Sequence, residues 1–267
     1  MGQSFLEWKN VKSLLKGNRL FLFLDYDGTL TDIASTPEAA VLPGETRELL
    51  LRLAGLDMCR MAVISGRSIG DIKNKVGVDG IVYAGNHGLE VEGPGIKRSI
   101  AVSQSEKDCI KEVKAELENI VLGFEGGVIE DKGLSISVHF RLIKLPELPK
   151  FLKRVQTALS PYILRNKIRL SNGKMVYDIR PAVLWDKGSV VLWIIDKWQS
   201  QGNDQDAVLS YFGDDATDED AFKVLKKNSL TVFVGKPQQT AARYYLNNPQ
   251  EVRGFLGEVC EFYDRKG

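Results

Sequence analysis

The chain has too few cysteines, in the wrong spacing, for a disulfide framework or a zinc site. Cys59, Cys109 and Cys260 are odd in number and form no CxxC pair, so a reducing compartment fits. Charge of neither sign is in excess. Lys and Arg number 36 against 35 Asp and Glu, without the clustered basic surplus of a nucleic-acid footprint. No apolar run approaches the roughly 20 residues that span a bilayer. The N-terminus does not read as a signal peptide. Phe5, Trp8, Leu14 and Leu15 are interrupted by Glu7, Lys9, Lys12 and Lys16, the pattern of a short amphipathic helix. There is no internal repeat and no low-complexity tract. These absences lead us to expect a soluble, cytoplasmic monomer with no nucleic-acid or membrane partner. What is present is length: 267 residues can bury a substantial core, as one large domain or two modest ones.

Leu20–Leu24 is a continuous apolar run that ends in Asp25, as a buried parallel strand reads. Residues 58–64 form a second such run, ending in Ser65-Gly66-Arg67. Residues 81–84 form a third, and residues 208–212 another, ending in Gly213-Asp214-Asp215. Helical stretches over 45–53, 69–76, 186–198 and 221–227 alternate with these and with a strand at Leu230–Val234, which implies βαβ units and a parallel sheet. A different pattern occupies the middle. Helices are expected over 105–122 and 146–159. Strands are expected over 134–140, 163–170 and 174–180, with Asn172-Gly173 as the turn between the last two. The expected fold is therefore α/β: a Rossmann-like parallel-sheet core from residues 1–95 and 183–267, with an inserted α+β domain at 96–182. Gly93-Pro94-Gly95 and Pro181 are the expected hinges.

Three apolar strands thus end in polar groups: Asp25/Asp27, Ser65/Arg67 and Asp214/Asp215. In open α/β sheets ligands bind beyond the carboxyl ends of the strands. A lone Asp after a strand is ordinarily a turn former or helix cap. Here Asp27 follows Asp25 by two, and Gly28 permits a tight turn. Clustered carboxylates repel unless a cation neutralises them, and a hard divalent ion, Mg²⁺ first, suits oxygen ligands. One carboxylate can attack phosphorus, while a second protonates the leaving alcohol and deprotonates water. Asp214, Asp215 and Asp218 add charge at another strand end; Asp218 also suits a helix N-terminus. Lys187 could face the nucleophile and the phosphoryl oxygens, and Ser65 with its neighbouring amides could bind phosphate. Trp193 and Trp198 read as packing residues, and Trp185 receives no role.

Asp25-Tyr26-Asp27-Gly28-Thr29-Leu30, Ser65, Lys187 and Gly213-Asp214-Asp215 resemble, in order, the four motifs of the haloacid-dehalogenase-like phosphohydrolases, and the insert looks like a type-two cap. The match narrows with Gly85-Asn86-His87-Gly88-Leu89-Glu90, His139-Phe140-Arg141, the segment from Lys174 to Pro181, and the run from Gly213 to Phe222. Together these resemble the trehalose-6-phosphate phosphatases. The resemblance implies hydrolysis of trehalose 6-phosphate to trehalose and phosphate, with Asp25 as nucleophile and Asp27 as general acid/base. Mg²⁺ would be held by Asp25, the Asp27 carbonyl and Asp214, with Asp215 or Asp218 in support. Members often carry Glu where Asp178 stands, which is one methylene longer.

Substrate contacts are expected from Gly66, Arg67, Asn86, His87 and Glu90 in the core and from His139, Arg141, Lys174 and Asp178 in the insert. On strands with alternating side chains, His139 and Arg141 share one polar face, and Lys174, Asp178 and Arg180 another. The insert is expected to close over the sugar and exclude water. Other readings stay open at this point: a phosphatase for sucrose 6-phosphate, mannosylglycerate phosphate or glucosylglycerol phosphate, a phosphomutase, or a non-catalytic binding module.

Overall fold

The structure, a computed structural model, describes residues 4–202, 204–225 and 229–265. Its strands are β1 (Ser4–Phe5), β2 (Leu20–Leu24), β3 (Cys59–Ile64), β4 (Val82–Gly85), β5 (Glu90–Gly93), β6 (Ile96–Ser99), β7 (Val128–Asp131), β8 (Ile136–His139), β9 (Ile168–Gly173), β10 (Val176–Pro181), β11 (Val208–Gly213), β12 (Leu230–Val234) and β13 (Tyr244–Leu246). Its helices are α1 (Trp8–Lys12), α2 (Gly44–Ala54), α3 (Ile69–Val76), α4 (Gln104–Val121), α5 (Leu148–Leu164), α6 (Lys187–Gln201), α7 (Glu219–Val224) and α8 (Pro249–Asp264). The expected helix over 221–227 starts two residues earlier, and its Lys226 and Lys227 lie outside the described residues. Ser4–Phe5 is a short edge strand rather than the start of the N-terminal helix.

Chain contacts divide the molecule into two units, Met1–Ser99 with Trp185–Gly267, and Ile100–Leu184. The larger holds a nine-stranded sheet ordered β1-β13-β12-β11-β2-β3-β4-β5-β6. It is parallel from β1 to β4 and antiparallel at β5 and β6. All five residues of β2 are fully buried. Leu20, Leu22 and Leu24 enter the core with α2, α3 and α8, while Phe21 and Phe23 enter the opposite one with α6 and α7. Trp198 completes that second core, its ring 4.9 Å from Phe21 and 5.3 Å from Phe23. Burial on both faces is why the strand reads as an unbroken apolar run. From β2 the chain runs outward through β3 and β4, then returns to build β11 and β12 on the other side. The strand order reverses at β2, a topological switch point, where such sheets form their ligand crevice.

The expected first boundary needs a correction. Ile96–Ser99 is an edge strand of the large sheet, hairpinned to β5 across Gly93-Pro94-Gly95, and not the beginning of the insert. Nor is Pro181 a hinge: it closes β10.

The Ile100–Leu184 unit is a four-stranded antiparallel sheet, β7-β8-β10-β9. Ile136, Val138, Tyr177 and Ile179 pack against Val113 and Leu117 of α4 and Phe151 and Val155 of α5. Residues 163–167, expected as strand, finish α5 and its turn. The turn expected at Asn172-Gly173 lies at Lys174-Met175, with Met175 at φ 65. Lys174 is therefore a turn residue and does not share a strand face with Asp178. The face away from the helices is less wet than expected, because Ser135 and Ser137 are fully buried.

Candidate active site

Asp25 is the first residue past β2, and its N–H donates to Phe212 O at 2.9 Å, fastening it to the neighbouring strand β11. The chain then turns sharply. Leu30 and Thr31 N–H groups return to Tyr26 O, and Gly28 N–H donates to Thr31 O. Gly28 sits at φ 86, and a Cβ there would lie 2.0 Å from Asp214 Oδ2. Glycine is thus required twice, by the left-handed backbone and by the close approach of the Asp214 carboxylate.

Lys187 opens α6, directly after Asp186, whose carboxylate caps the helix by accepting from Ser189 N–H and Oγ. The buried Lys187 Nζ donates to Asp25 Oδ1 and to Asp218 Oδ1, each at 2.7 Å. Asp218 Oδ1 also accepts from Tyr211 OH at 2.7 Å. Its Oδ2 accepts the backbone N–H groups of Asp214 and Asp215 at 2.9 and 3.1 Å. Four hydrogen bonds occupy the roughly four lone-pair sites a carboxylate offers. A Cβ on Gly213 would collide with this carboxyl group at 2.2 Å.

Oxygens of Asp25, Asp214 and Asp218 lie within 4.8 Å of one another. Burial pushes the Asp25 carboxyl well above the usual carboxylate range, against the pull of Lys187, and Asp218, Asp214 and Asp215 push the same way. Burial also works against the Lys187 ammonium, but Asp218 and Asp25 outweigh it and hold it well above an ordinary lysine. Three buried carboxylates face one ammonium, and a cation relieves that excess. Asp215 has a local partner: its Oδ1 accepts from Thr217 N–H and Oγ1 at 2.8 and 2.7 Å.

On the other side of β2, the strand β3 delivers Ser65, Gly66 and Arg67. The buried Ser65 Oγ accepts the Arg67 N–H at 3.2 Å. Arg67 grips Asp27 with two parallel bonds, Nε to Oδ2 and Nη2 to Oδ1, both 2.7 Å. It also donates to Asp71 Oδ2 at 2.7 Å and Pro37 O at 3.0 Å, and lies over the Tyr26 ring. The Arg67 guanidinium, expected to contact substrate, bonds Asp27, Asp71 and Pro37 within the chain. Beyond β4, Asn86, His87 and Gly88 form a turn with φ of 50, 56 and 94. His87 N–H donates to Ser65 O, and its ring covers Gly66, where a Cβ would be 2.7 Å from Cε1. Asn86 Nδ2 donates to Glu90 Oε2 at 2.7 Å, so those two side chains bind each other.

A family model described as trehalose-phosphatase matches residues 23–250. The chain belongs to the trehalose-phosphatase family. Trehalose-phosphate phosphatase B of Arabidopsis thaliana is 35% identical over 259 residues, which are 92% of this chain and 68% of that protein. Trehalose-phosphate phosphatase of Mycobacterium tuberculosis is 36% identical over 249 residues, 91% of this chain but 60% of that protein. The chain thus spans roughly three-fifths to two-thirds of these relatives. Among solved structures, the C-terminal domain of C. albicans trehalose-6-phosphate phosphatase superposes with a TM-score of 0.85 at 22% identity, covering 97% of this chain and 99% of that one. The expected α/β fold, a parallel-sheet core with an α+β insert, therefore holds.

The inserted unit has a polar cluster of its own. The register aligns Glu130, Ser137, Asp178 and Ser171 across its four strands. Asp178 Oδ1 accepts from Ser137 Oγ and, at 3.2 Å, from Lys132 Nζ. His139 Nε2 and Glu130 Oε2 are 2.9 Å apart. Arg141 Nη2 donates to Lys174 O at 2.6 Å, bracing the turn between β9 and β10. Sequence reasoning passed over Tyr211, Asp71, Lys132, Glu130 and Ser137. The four-residue spacing from Arg67, just before α3, to Asp71 in its first turn was a usable signal. So was strand parity for Glu130, which pairs with Ser137 across β7 and β8. Nothing in the sequence marks Tyr211.

Proposed function

We propose that the chain is a Mg²⁺-dependent phosphatase that converts trehalose 6-phosphate to trehalose and phosphate. The buried Asp25–Lys187–Asp218 chain, beside an Asp27 held by Arg67 at the switch point of the sheet, is the observation that carries this reading. In the first half-reaction a carboxylate oxygen of Asp25 bonds to phosphorus as the P–O bond to the sugar breaks. Asp27, held by the Arg67 fork, protonates the departing sugar oxygen. In the second half-reaction Asp27 takes a proton from water, which attacks the aspartyl phosphate, frees inorganic phosphate and restores Asp25. Lys187 orients Asp25 through Oδ1 and offsets phosphoryl charge. Ser65 and nearby amides hold the phosphoryl oxygens.

The donor set fits a hard divalent ion: all oxygen, buried, with net negative charge. Asp25 and Asp214, with the Asp27 carbonyl, would hold it, and it would polarise the phosphoryl group. We assign Asp218 to positioning, because Lys187, Tyr211 and two backbone amides fill its lone pairs. Asp215 supports the loop through Thr217. In the inserted unit, Asp178, Lys132, Glu130 and His139 supply the hydrogen bonds a sugar needs. Three free thiols support a cytoplasmic location. Among the described residues no helix is long and apolar enough to cross a membrane.

Phosphate release from trehalose 6-phosphate and a panel of other sugar phosphates, with and without Mg²⁺, tests the reading. Trehalose 6-phosphate should be the best substrate, and chelation should abolish its turnover. A preference for another sugar phosphate would remove the substrate assignment; turnover undiminished by chelation would remove the metal.

A further inference from the structure

The turn Asn86–His87–Gly88 carries three consecutive left-handed residues, two of them not glycine. Such backbone persists only where its surroundings over-determine it. Two of its restraints come from the phosphate loop: Asn86 N–H to Arg67 O at 2.7 Å, and His87 N–H to Ser65 O at 2.9 Å. A third comes from a residue to which the reaction assigns nothing. Trp185 Nε1–H donates to Gly88 O at 2.7 Å. The packing there is close, since a Cβ on Gly88 would be 2.7 Å from Val190 Cγ1 and 3.3 Å from Trp185 Nε1.

The indole is itself held. The Arg98 guanidinium carbon lies 4.7 Å from the Trp185 ring centroid and 5.2 Å from that of Trp193. Arg98 is on β6, whose last residue ends the first segment of the larger unit, and Trp185 is the first residue of its second segment. Two positions later comes Lys187, hydrogen-bonded to Asp25. One short run of chain therefore serves both the His87 turn and the nucleophile.

We propose that Trp185 is a positioning residue that fixes the His87 turn through the Gly88 carbonyl, with Arg98 seating the indole. It sets where the His87 ring stands over Gly66, and so shapes the substrate side of the phosphate loop. The part that concerns substrate rests on the phosphatase reading above; the part that concerns the turn does not.

Trp185→Phe keeps an aromatic ring for Arg98 and removes only the N–H donor. Hydrogen exchange by mass spectrometry on the full chain reads the turn without substrate. The peptide covering 83–91 should exchange about tenfold faster in the variant, as one lost hydrogen bond implies, while the peptide covering 20–24 should not change. In kinetics with trehalose 6-phosphate, KM should rise about tenfold with kcat held within about twofold. The same substitution in a His87→Ala background should add less than about twofold, since an effect exerted through His87 is not additive with its removal. Arg98→Gln should reproduce a smaller part of the exchange effect. Unchanged exchange over 83–91 would overturn the proposal, as would an equal KM penalty in both backgrounds. If the wild-type protein does not hydrolyse trehalose 6-phosphate, the phosphatase reading fails, and the exchange arm still decides the role of Trp185.

Discussion

Arg67→Lys separates the two jobs a general acid performs. The guanidinium makes two 2.7 Å bonds to Asp27, one to Asp71 and one to Pro37 O. An ammonium at the same position can bridge Asp27 and Asp71 at best once each, so the parallel fork on Asp27 is lost. Charge-assisted bonds contribute about 1.5–3 kcal/mol each. The Asp27 side chain is 39% exposed, so water replaces much of what goes, and a stability loss of only about 1–2 kcal/mol is expected. The effect on turnover is larger and depends on the leaving group. General acid catalysis contributes about 10²–10⁴-fold, and a poorly aimed Asp27 should forfeit about 10²-fold of it with a sugar alcohol as leaving group. A nitrophenolate leaves without a proton and should be spared to within about threefold. Comparing kcat/KM confines the test to steps through phosphoryl transfer to Asp25, which excludes the water-activating half-reaction common to both substrates. Equal losses of kcat/KM on the two esters would refute the role given to Arg67 and Asp27.

Gly28→Ala places a methyl in the space of the Asp214 carboxylate at a left-handed backbone position. The Mg²⁺ concentration for half-maximal activity should rise at least about tenfold, read from a metal titration of turnover. Asp218→Asn puts an amide donor against the Lys187 ammonium and breaks a buried pair, a loss of about 3–5 kcal/mol in urea unfolding; its Mg²⁺ requirement should move less than that of Asp214→Asn. Lys132→Met removes the ammonium beside Asp178 and should lower kcat/KM for trehalose 6-phosphate about tenfold, leaving a nitrophenyl ester unchanged. Burial pushes the Cys59 thiol up to about 12, so native alkylation should label the half-buried Cys109 first and reach Cys59 only after unfolding. The raised value favours the neutral thiol in the fold. The stability it contributes is therefore complete below about pH 8.5 and lost as pH rises toward 12, a decline that Cys59→Ala should reduce in alkaline unfolding curves.

Much of the site was legible because the central strands are buried on both faces. Leu20–Leu24 and residues 208–212 read as apolar runs, so the polar residues that follow them stood out. Partners were less legible than positions. Nothing in the spacing tells whether Arg67 faces a phosphate or Asp27, and a tyrosine inside an apolar strand gives no hint that Tyr211 bonds Asp218. The β5–β6 hairpin was missed because its short strands carry Glu90, Glu92, Lys97 and Arg98, charges suited to an exposed edge. Asn172-Gly173 has the usual hairpin composition, yet the register places the turn at Lys174-Met175, where Arg141 braces the Lys174 carbonyl. Trp185 received no role because its hydrogen bond crosses 97 residues of sequence.

The most direct measurement is on Asp25 itself. Turnover of trehalose 6-phosphate with Mg²⁺ is quenched in acid within milliseconds, and the protein is mapped by mass spectrometry. Asp27→Asn is run in parallel on a nitrophenyl phosphate, whose leaving group needs no proton, so that only the second half-reaction is slowed. A hydroxylamine-labile phosphoryl group on Asp25, enriched in Asp27→Asn and absent from an inactive Asp25→Asn, is expected. Turnover that persists in Asp25→Asn, or a phosphoryl group carried on another residue, would contradict the account.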